Sequence, residues 1–176
     1  MPPVDVTEST WQAEVIDRSH REPVVVDFWA EWCGPCKALG PVLEQAAEEA
    51  EVVLAKVDVD SNQQVASEYG IRGIPAVKAF RNGHVVAEFV GAQPKPRVEA
   101  FLAELTKPPV AETVEDPELK EALAARDYER AFELLLGRVG DDPEGTRETM
   151  VALFGELGHE HPLSMQYRRR LAAALY

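Results

Sequence analysis

The two cysteines of this 176-residue chain, Cys33 and Cys36, lie three positions apart. The apolar run at residues 24–29 predicts a buried strand just before them, and the pattern at residues 37–51 predicts a helix just after them. A thiol at a helix N-terminus faces unpaired backbone N–H groups and the positive end of the helix dipole, which favour its thiolate form. Cys33 would be that nucleophile. Cys36, one helical turn further on, would be close enough to attack a mixed disulfide formed at Cys33.

The same cysteine pair could instead be half of a zinc site, or chemically inert. Tetrahedral zinc needs two further ligands, and none of the four histidines lies near residue 33 in sequence. His159 and His161 stand in a loop pattern before Pro162, which is more typical of solvent-facing turn residues than of ligands. We therefore favour redox chemistry at the pair and predict that the chain binds no metal.

Asp27 alone interrupts an apolar run that would otherwise form a buried strand. A carboxylate is costly to bury without a partner, so this residue is either a solvated group at a strand edge or a buried base with a raised pKa. Its place beside the thiols favours the buried base. For Lys56, in the pattern of the next strand, a solvated side chain is nearly as well supported as a buried one.

Composition and charge disfavour several classes of protein. Hydrophobic residues make up 45% of the chain and charged residues 28%, which is ordinary for a globular protein. The net charge is −13 at pH 7, and the acidic residues are spread over the whole chain, so nucleic acids and anionic membranes are disfavoured as partners. The N-terminus has no signal-peptide pattern, and no apolar stretch approaches the roughly 20 residues of a membrane span. A close cysteine pair in a leaderless chain indicates catalytic use in the reducing cytoplasm.

Residues 1–107 alternate between helix and strand patterns. Asn82-Gly83, between two apolar runs, predicts the tight turn of an antiparallel hairpin, and Pro41 should kink the helix that follows the cysteines. These patterns predict a mixed central sheet flanked by helices, which is a three-layer α/β domain. The predicted helices span residues 7–18, 37–51, 63–69 and 96–105, and the predicted strands span residues 24–29, 52–59, 76–80 and 85–90.

The composition changes after residue 107. Residues 108–115 predict a linker, and residues 116–176 predict a small all-α bundle of four short helices. Asp116-Pro117 and Asp127 are typical helix-start signals. The last helix pattern places three basic residues beside three apolar ones, which either pack on the bundle itself or bind a partner. These residues are Arg168, Arg169, Arg170, Leu171, Leu175 and Tyr176.

Residues 4–106 contain several short motifs that together indicate one protein family. They are the segment Trp32-Cys33-Gly34-Pro35-Cys36, Asp27 and Trp29 in the strand before it, Lys56 and Asp58 in the next strand, Gly73-Ile74-Pro75, and Val90-Gly91-Ala92. With these motifs the domain closely resembles thioredoxin. The resemblance implies the thioredoxin fold for residues 1–107.

The resemblance also implies roles for the matching residues. Cys33 would be the attacking cysteine and Cys36 the resolving one. Asp27, with Lys56 as its neighbour, would be the buried proton acceptor near Cys36, and Pro75 would form a cis-proline turn facing the disulfide. The substrate-binding groove would comprise Trp32, Gly34, Pro35, Ile74, Gly91 and Ala92.

Asp127-Tyr128, Ala131 and Asp142-Pro143 follow the second half of a tetratricopeptide repeat. With them the second domain resembles the tetratricopeptide-type C-terminus of the chaperedoxins, the CnoX or YbbN-like co-chaperones, and residues 167–176 are similar to that family's terminal helix. Longer members of the family carry further repeats that this chain lacks. The resemblance implies docking to client proteins or, through the terminal helix, to a GroEL-type chaperonin.

We therefore predict a cytoplasmic thiol–disulfide oxidoreductase that acts on protein disulfides in cell redox homeostasis, fused to a helical protein-interaction domain. The resemblance implies electrons from NADPH through a flavin-dependent thioredoxin reductase, with no cofactor bound to this chain. Its clients would be oxidised or misfolded proteins. The alternative is a non-catalytic holdase or co-chaperone whose thioredoxin fold is mainly a binding scaffold.

Overall fold

The contacts of the computed structural model, which describes residues 1–176, divide the chain into two units, Met1–Lys107 and Pro108–Tyr176. Each unit has a hydrophobic core of its own. The first unit contains a mixed five-stranded sheet, and the second is entirely helical. The predicted fold class, an α/β thioredoxin fold followed by a small all-α domain, is therefore confirmed. None of the helices combines the length and the apolar composition needed to cross a membrane.

One sheet forms the centre of the first unit. Its strands are β1 (Val4–Asp5), β2 (Val24–Trp29), β3 (Val53–Asp58), β4 (Ala76–Arg81) and β5 (His84–Val90). They lie in the order β1-β3-β2-β4-β5. The first three of these are parallel, and β4 is antiparallel to both of its neighbours. Asn82 and Gly83 join β4 to β5 with φ values of 53° and 80°, as the predicted two-residue hairpin turn requires.

Helices cover both faces of this sheet. Helices α1 (Gly34–Glu49) and α3 (Lys95–Leu105) share a core with Val25 of β2. Helix α2 (Gln63–Glu68) contributes to a second core, which contains Phe28 of the same strand. This arrangement is the predicted three-layer order of helix, sheet and helix.

The alternation of side chains along β2 decides what faces α1. Val24, Val26 and Phe28 belong to the core on the α2 face, and Val25 belongs to the core on the α1 face. Since successive side chains of a strand point to opposite faces, Asp27 shares the face of Val25. The only acidic residue of β2 therefore lies on the side of the sheet that α1 covers.

The first helical segment differs from its prediction. The sequence predicts one helix over residues 7–18, but the structure has a π-helical segment, Gln12–Asp17, followed by a 3₁₀ turn, Arg18–His20. Trp11 and Val15 are both buried. The two apolar residues, four positions apart, therefore face the core as predicted. The backbone between them does not form a regular α-helix.

Aspartate caps begin three helices of the second unit. Asp116, Asp127 and Asp142 each accept a hydrogen bond from the backbone N–H three residues further on, at 2.7, 3.1 and 3.0 Å. Each cap satisfies a donor that a helix start leaves unpaired. The helices of this unit are α4 (Val110–Thr113), α5 (Pro117–Ala124), α6 (Tyr128–Leu136), α7 (Pro143–Leu157) and α8 (Pro162–Leu175).

The prediction of a linker at residues 108–115 needs a correction, because this segment belongs to the helical unit. Val110, in the short helix α4, is buried in the core of the bundle, and Val114 packs against that core. The N–H of Val110 donates to the Glu156 carboxylate on α7. The prolines at 108 and 109 give the segment its linker-like composition, but two valines anchor it.

The core of the helical unit is built around stacked rings. Phe132 of α6 stacks on Phe154 of α7 and Tyr167 of α8, with ring centroids 5.2 and 4.7 Å away. Leu171 is buried in the same core and Leu175 packs against it. Of the two possibilities for the end of the chain, these leucines pack on their own bundle.

Candidate active site

The cysteine pair lies at the start of α1. Cys33 is the N-cap residue of this 16-residue helix, and its Sγ accepts a hydrogen bond from the N–H of Cys36 at 3.2 Å. The two sulfurs form a disulfide, and the two Cα atoms are 5.3 Å apart. Pro35 is tolerated within the first turn because the N–H that it lacks would have no helical partner there. The local sequence thus places both sulfurs at the helix N-terminus.

Apolar side chains surround this disulfide. Cys33 and Cys36 are 3% and 4% exposed and cluster with Ala30. Val59 and Ile74 pack against the cluster. The similar burial does not distinguish the two sulfurs. Their positions do, because the sulfur of Cys33 receives the helix N–H and lies at the positive end of the helix dipole.

Asp27 is a buried carboxyl group without a full set of partners. It is 2% exposed, and its Oδ1 has no hydrogen-bond partner. Burial raises its pKa to about 6, against the lowering effect of the Lys56 ammonium and with a further raising effect from Glu44. A carboxyl group with such a pKa can accept and release a proton near neutral pH.

Lys56 lies beside Asp27 in the sheet, since the two residues are register partners between β2 and β3. Its side chain is partly buried, and its Nζ donates to Glu44 of α1 at 2.8 Å. The ammonium also lies 5.4 Å from the centre of the Trp29 ring. Lys56 is therefore an engaged residue of the α1 face and not a freely solvated one.

The turn before β4 meets the end of β5 beside the cysteines. The Ile74–Pro75 peptide bond is cis, as the resemblance implies, and Ile74 packs on the cysteine cluster. The carbonyl of Pro75 accepts a hydrogen bond from the N–H of Gly91 at 2.8 Å. Gly91 has a φ of +86°, which a glycine adopts without strain.

The remaining residues of the predicted groove lie at the surface. Trp32 is 71% exposed, and its indole N–H donates to Asp60 at 2.8 Å. Gly34, Pro35 and Ala92 are exposed as well. The structure thus places an exposed indole directly next to Cys33 in the chain.

Two residues of this region were not predicted, Glu44 and Asp60. Glu44 is eight positions after Cys36 on α1, so a helical period of about four residues could have placed it toward the same strands. Asp60 follows β3, where only its alternation with Asp58 was visible in the sequence. No three His, Cys, Asp or Glu side chains are grouped so that they could hold a metal ion.

The chain matches two family models. The thioredoxin model matches residues 2–104, and a tetratricopeptide repeat model matches residues 92–176. Thioredoxin C-2 of Corynebacterium nephridii is 48% identical over 101 residues, which cover 56% of this chain and 92% of that protein. Thioredoxin 1 of a Nostoc species is 49% identical over 92 residues, which cover 51% of this chain and 84% of that protein.

A solved structure agrees with these matches. A mutant thioredoxin from Halobacterium salinarum NRC-1 is 39% identical and superposes with a TM-score of 0.56, covering 61% of this chain and 93% of that chain. The thioredoxin model spans more than half of the chain, and the site contains the bonded Cys33–Cys36 pair. The chain therefore belongs to the thioredoxin family and is a thiol–disulfide oxidoreductase, with a tetratricopeptide-repeat region after its thioredoxin domain.

Proposed function

We propose that this protein reduces disulfide bonds in other proteins, with Cys33 as the attacking sulfur and Cys36 as the resolving one. The observation that carries the proposal is the position of Cys33 as the N-cap of α1, where its sulfur accepts the N–H of Cys36 and is bonded to the Cys36 sulfur. The disulfide is the oxidised form that such a reaction would leave behind.

The reaction begins from the dithiol form. The Cys33 thiolate attacks one sulfur of the client disulfide, which forms a mixed disulfide and releases the first client thiolate. Cys36 gives its proton to Asp27, and its thiolate then attacks the Cys33 sulfur. This second step closes the Cys33–Cys36 disulfide and releases the second client thiolate. Two electrons have then passed from the protein dithiol to the client.

The resulting disulfide must be reduced again before another turnover. We propose that NADPH supplies these electrons through a flavin-dependent thioredoxin reductase, in the cytoplasm, and that the chain itself binds no cofactor. The exposed Trp32 and the partly buried Ile74 flank the cysteines, so an extended client segment would lie along them and along Gly91.

Reduction of insulin, coupled to NADPH and a thioredoxin reductase, tests this function. We expect turnover by the wild type and a loss of about a thousandfold or more in Cys33→Ser. Ala38→Ser is a matched control, because it adds a hydroxyl on an exposed position of the same helix. No turnover by the wild type would overturn the proposal. If the wild type then still suppressed client aggregation, the holdase alternative would replace it.

We further propose that the helical unit brings protein clients or a GroEL-type chaperonin to the redox site, as in a chaperedoxin. The match of residues 92–176 to a tetratricopeptide repeat supports this role. The face of α8 available for docking is its outward one, since Leu171 and Leu175 pack inward. Exposed residues at helical spacing form this face, namely Met165, Arg169, Ala172 and Tyr176.

Co-elution with a GroEL-type chaperonin tests this docking. Deleting α8 would remove Tyr167 and Leu171 from the core, so point substitutions are the better probe. We expect the double variant Met165→Ser/Tyr176→Ser to lose co-elution while it keeps insulin reduction. Val151→Ser, which changes an exposed apolar residue of α7, is the control. Co-elution that survives the double substitution would contradict docking through this face.

A further inference from the structure

The Lys56 ammonium has two carboxylates within its electrostatic reach, and it bonds only one of them. Asp27 is its register partner in the sheet, and the charge of Lys56 lowers the pKa of Asp27. Yet Nζ donates to Glu44 at 2.8 Å and lies over the Trp29 ring. Oδ1 of Asp27 is left without a hydrogen-bond partner. The ammonium is therefore held toward α1 and not on the buried carboxyl.

The position of the Lys56 ammonium affects how strongly Asp27 can act as a base. An ion pair stabilises the charged form of a carboxyl group and so weakens it as a proton acceptor. A carboxylate that is buried without a partner holds a proton more readily. The ammonium on Glu44 thus leaves Asp27 a stronger base than an ammonium paired with Asp27 would.

We propose that Glu44 is a positioning residue for the resolving step: it holds the Lys56 ammonium against α1 and so keeps Asp27 free to take the proton of Cys36. This inference rests on the proposed function, in which Asp27 accepts that proton. Glu44 is not among the residues that pack on the cysteine cluster, and it acts through Lys56, whose ammonium it binds.

The charges that face Asp27 come from two elements. Strand β3 supplies Lys56 and helix α1 supplies Glu44, while the partner of Asp27 on β4 is the apolar Val77. Cys36, also on α1, does not titrate while it is in the disulfide. Glu44→Gln removes one negative charge and also frees the ammonium to approach Asp27. Both effects lower the pKa of Asp27.

The test is an NMR titration of the Asp27 carboxyl carbon in the full-length oxidised protein. In Glu44→Gln we expect the midpoint to fall by about one pH unit. Glu48→Gln is the matched control, because it makes the same change on the exposed surface of the same helix, and we expect it to leave the midpoint unchanged. Glu44→Asp keeps the charge and should restore most of the wild-type midpoint. An unchanged or raised midpoint in Glu44→Gln would overturn the proposal.

A double-substitution cycle separates an effect through Lys56 from a direct one. In the Lys56→Met background we expect Glu44→Gln to move the midpoint of Asp27 much less than in the wild type. An equal shift in both backgrounds would mean that Glu44 acts on Asp27 directly, and would overturn the positioning role.

The pH profile of insulin reduction connects the titration to catalysis. Its acidic limb should move to lower pH in Glu44→Gln, together with the midpoint of Asp27, and should stay in place in Glu48→Gln. If the Asp27 midpoint moved in Glu44→Gln but the acidic limb of the pH profile did not, the role of Glu44 in the resolving step would be overturned. A wild type without insulin reduction would refute the proposed function alone, since the titration needs no turnover.

Discussion

The buried carboxyl group of the thioredoxin unit and the buried phenol of the helical unit differ in their hydrogen bonds. In the thioredoxin unit, Asp27 is 2% exposed and its Oδ1 has no partner. In the helical unit, Tyr167 is fully buried, yet its hydroxyl donates to Glu133 at 2.6 Å. Arg170 bonds the same carboxylate and lies 4.8 Å from the centre of the tyrosine ring.

The difference in hydrogen bonding corresponds to a difference in the pKa of Tyr167 and Asp27. Burial, with the Glu133 carboxylate, raises the pKa of Tyr167 to about 12, so its hydroxyl stays protonated and donates to Glu133 of α6. Asp27 instead has a pKa of about 6, which leaves it free to exchange a proton. An unsatisfied buried group costs stability, and the redox unit retains that cost at the residue that would do chemistry. The helical unit also buries a hydroxyl without a hydrogen-bond partner, that of Ser164, but it has no buried carboxyl group.

The largest expected effect concerns the redox unit alone. Cys33→Ser removes the nucleophile, so insulin reduction should fall by about a thousandfold or more. Since Tyr167 lies in a separate core, its NMR signals should not move. A helical unit that lost its fold in this variant would contradict the separation of the two roles.

Phe132→Ala should have the largest effect on stability. Phe132 is fully buried between two rings, and its loss should cost about 3–5 kcal/mol of unfolding free energy. All three tryptophans lie in the thioredoxin unit, so far-UV circular dichroism and tryptophan fluorescence can separate the units during urea unfolding. Val151→Ala, an exposed change on α7, is the control. Equal losses for the two variants would be incompatible with the stacked core.

Asp27→Asn should stabilise the protein at neutral pH. The carboxyl group has an ordinary pKa of 3.8 and a folded value of about 6. Between these values the folded state binds more protons than the unfolded state, so the stability of the wild type falls as pH rises. The loss should total about 3 kcal/mol between pH 3 and pH 7. Urea unfolding at several pH values should show it in the wild type and not in Asp27→Asn.

The same Asp27→Asn variant should also reduce insulin more slowly, because it lacks the proton acceptor. A variant that became more stable and kept full activity would show that the unsatisfied carboxyl has no chemical role. That result would remove the contrast with Tyr167.

Tyr167→Phe should have the smallest effect. It deletes one hydrogen bond to Glu133 but keeps the ring and its stacking on Phe132, so the cost should be about 1 kcal/mol. Insulin reduction should be unchanged. A loss of several kcal/mol would indicate that the polar contact, and not the ring, holds α8.

The sequence predicts the redox site more completely than the helical unit, for physical reasons. Asp27 stands out in the sequence because a single carboxylate in an otherwise apolar strand is costly to bury. The aspartate caps at 116 and 127 are local signals and can be read without a fold. The partner of Lys56 cannot be predicted in this way, because it depends on how α1 crosses β3. The helical period alone does not distinguish Glu44 from the other acidic residues of α1.

The end of the chain illustrates the same limit. Leu175 and Tyr176 are neighbours with large, mainly apolar side chains, but Leu175 packs on the bundle and Tyr176 is fully exposed. Residues 108–115 have the composition of a linker, although Val110 is buried. In both cases one side chain's direction decides the outcome, and that direction is set by long-range packing.

Trapping of the mixed disulfide tests the assignment of the two sulfurs most directly. A reduced Cys36→Ser variant should form a stable disulfide with an oxidised client, and peptide mapping by mass spectrometry should locate that bond at Cys33. Under the same conditions Cys33→Ser should trap little or none. Accumulation of the adduct at Cys36 in Cys33→Ser, with none in Cys36→Ser, would contradict the account.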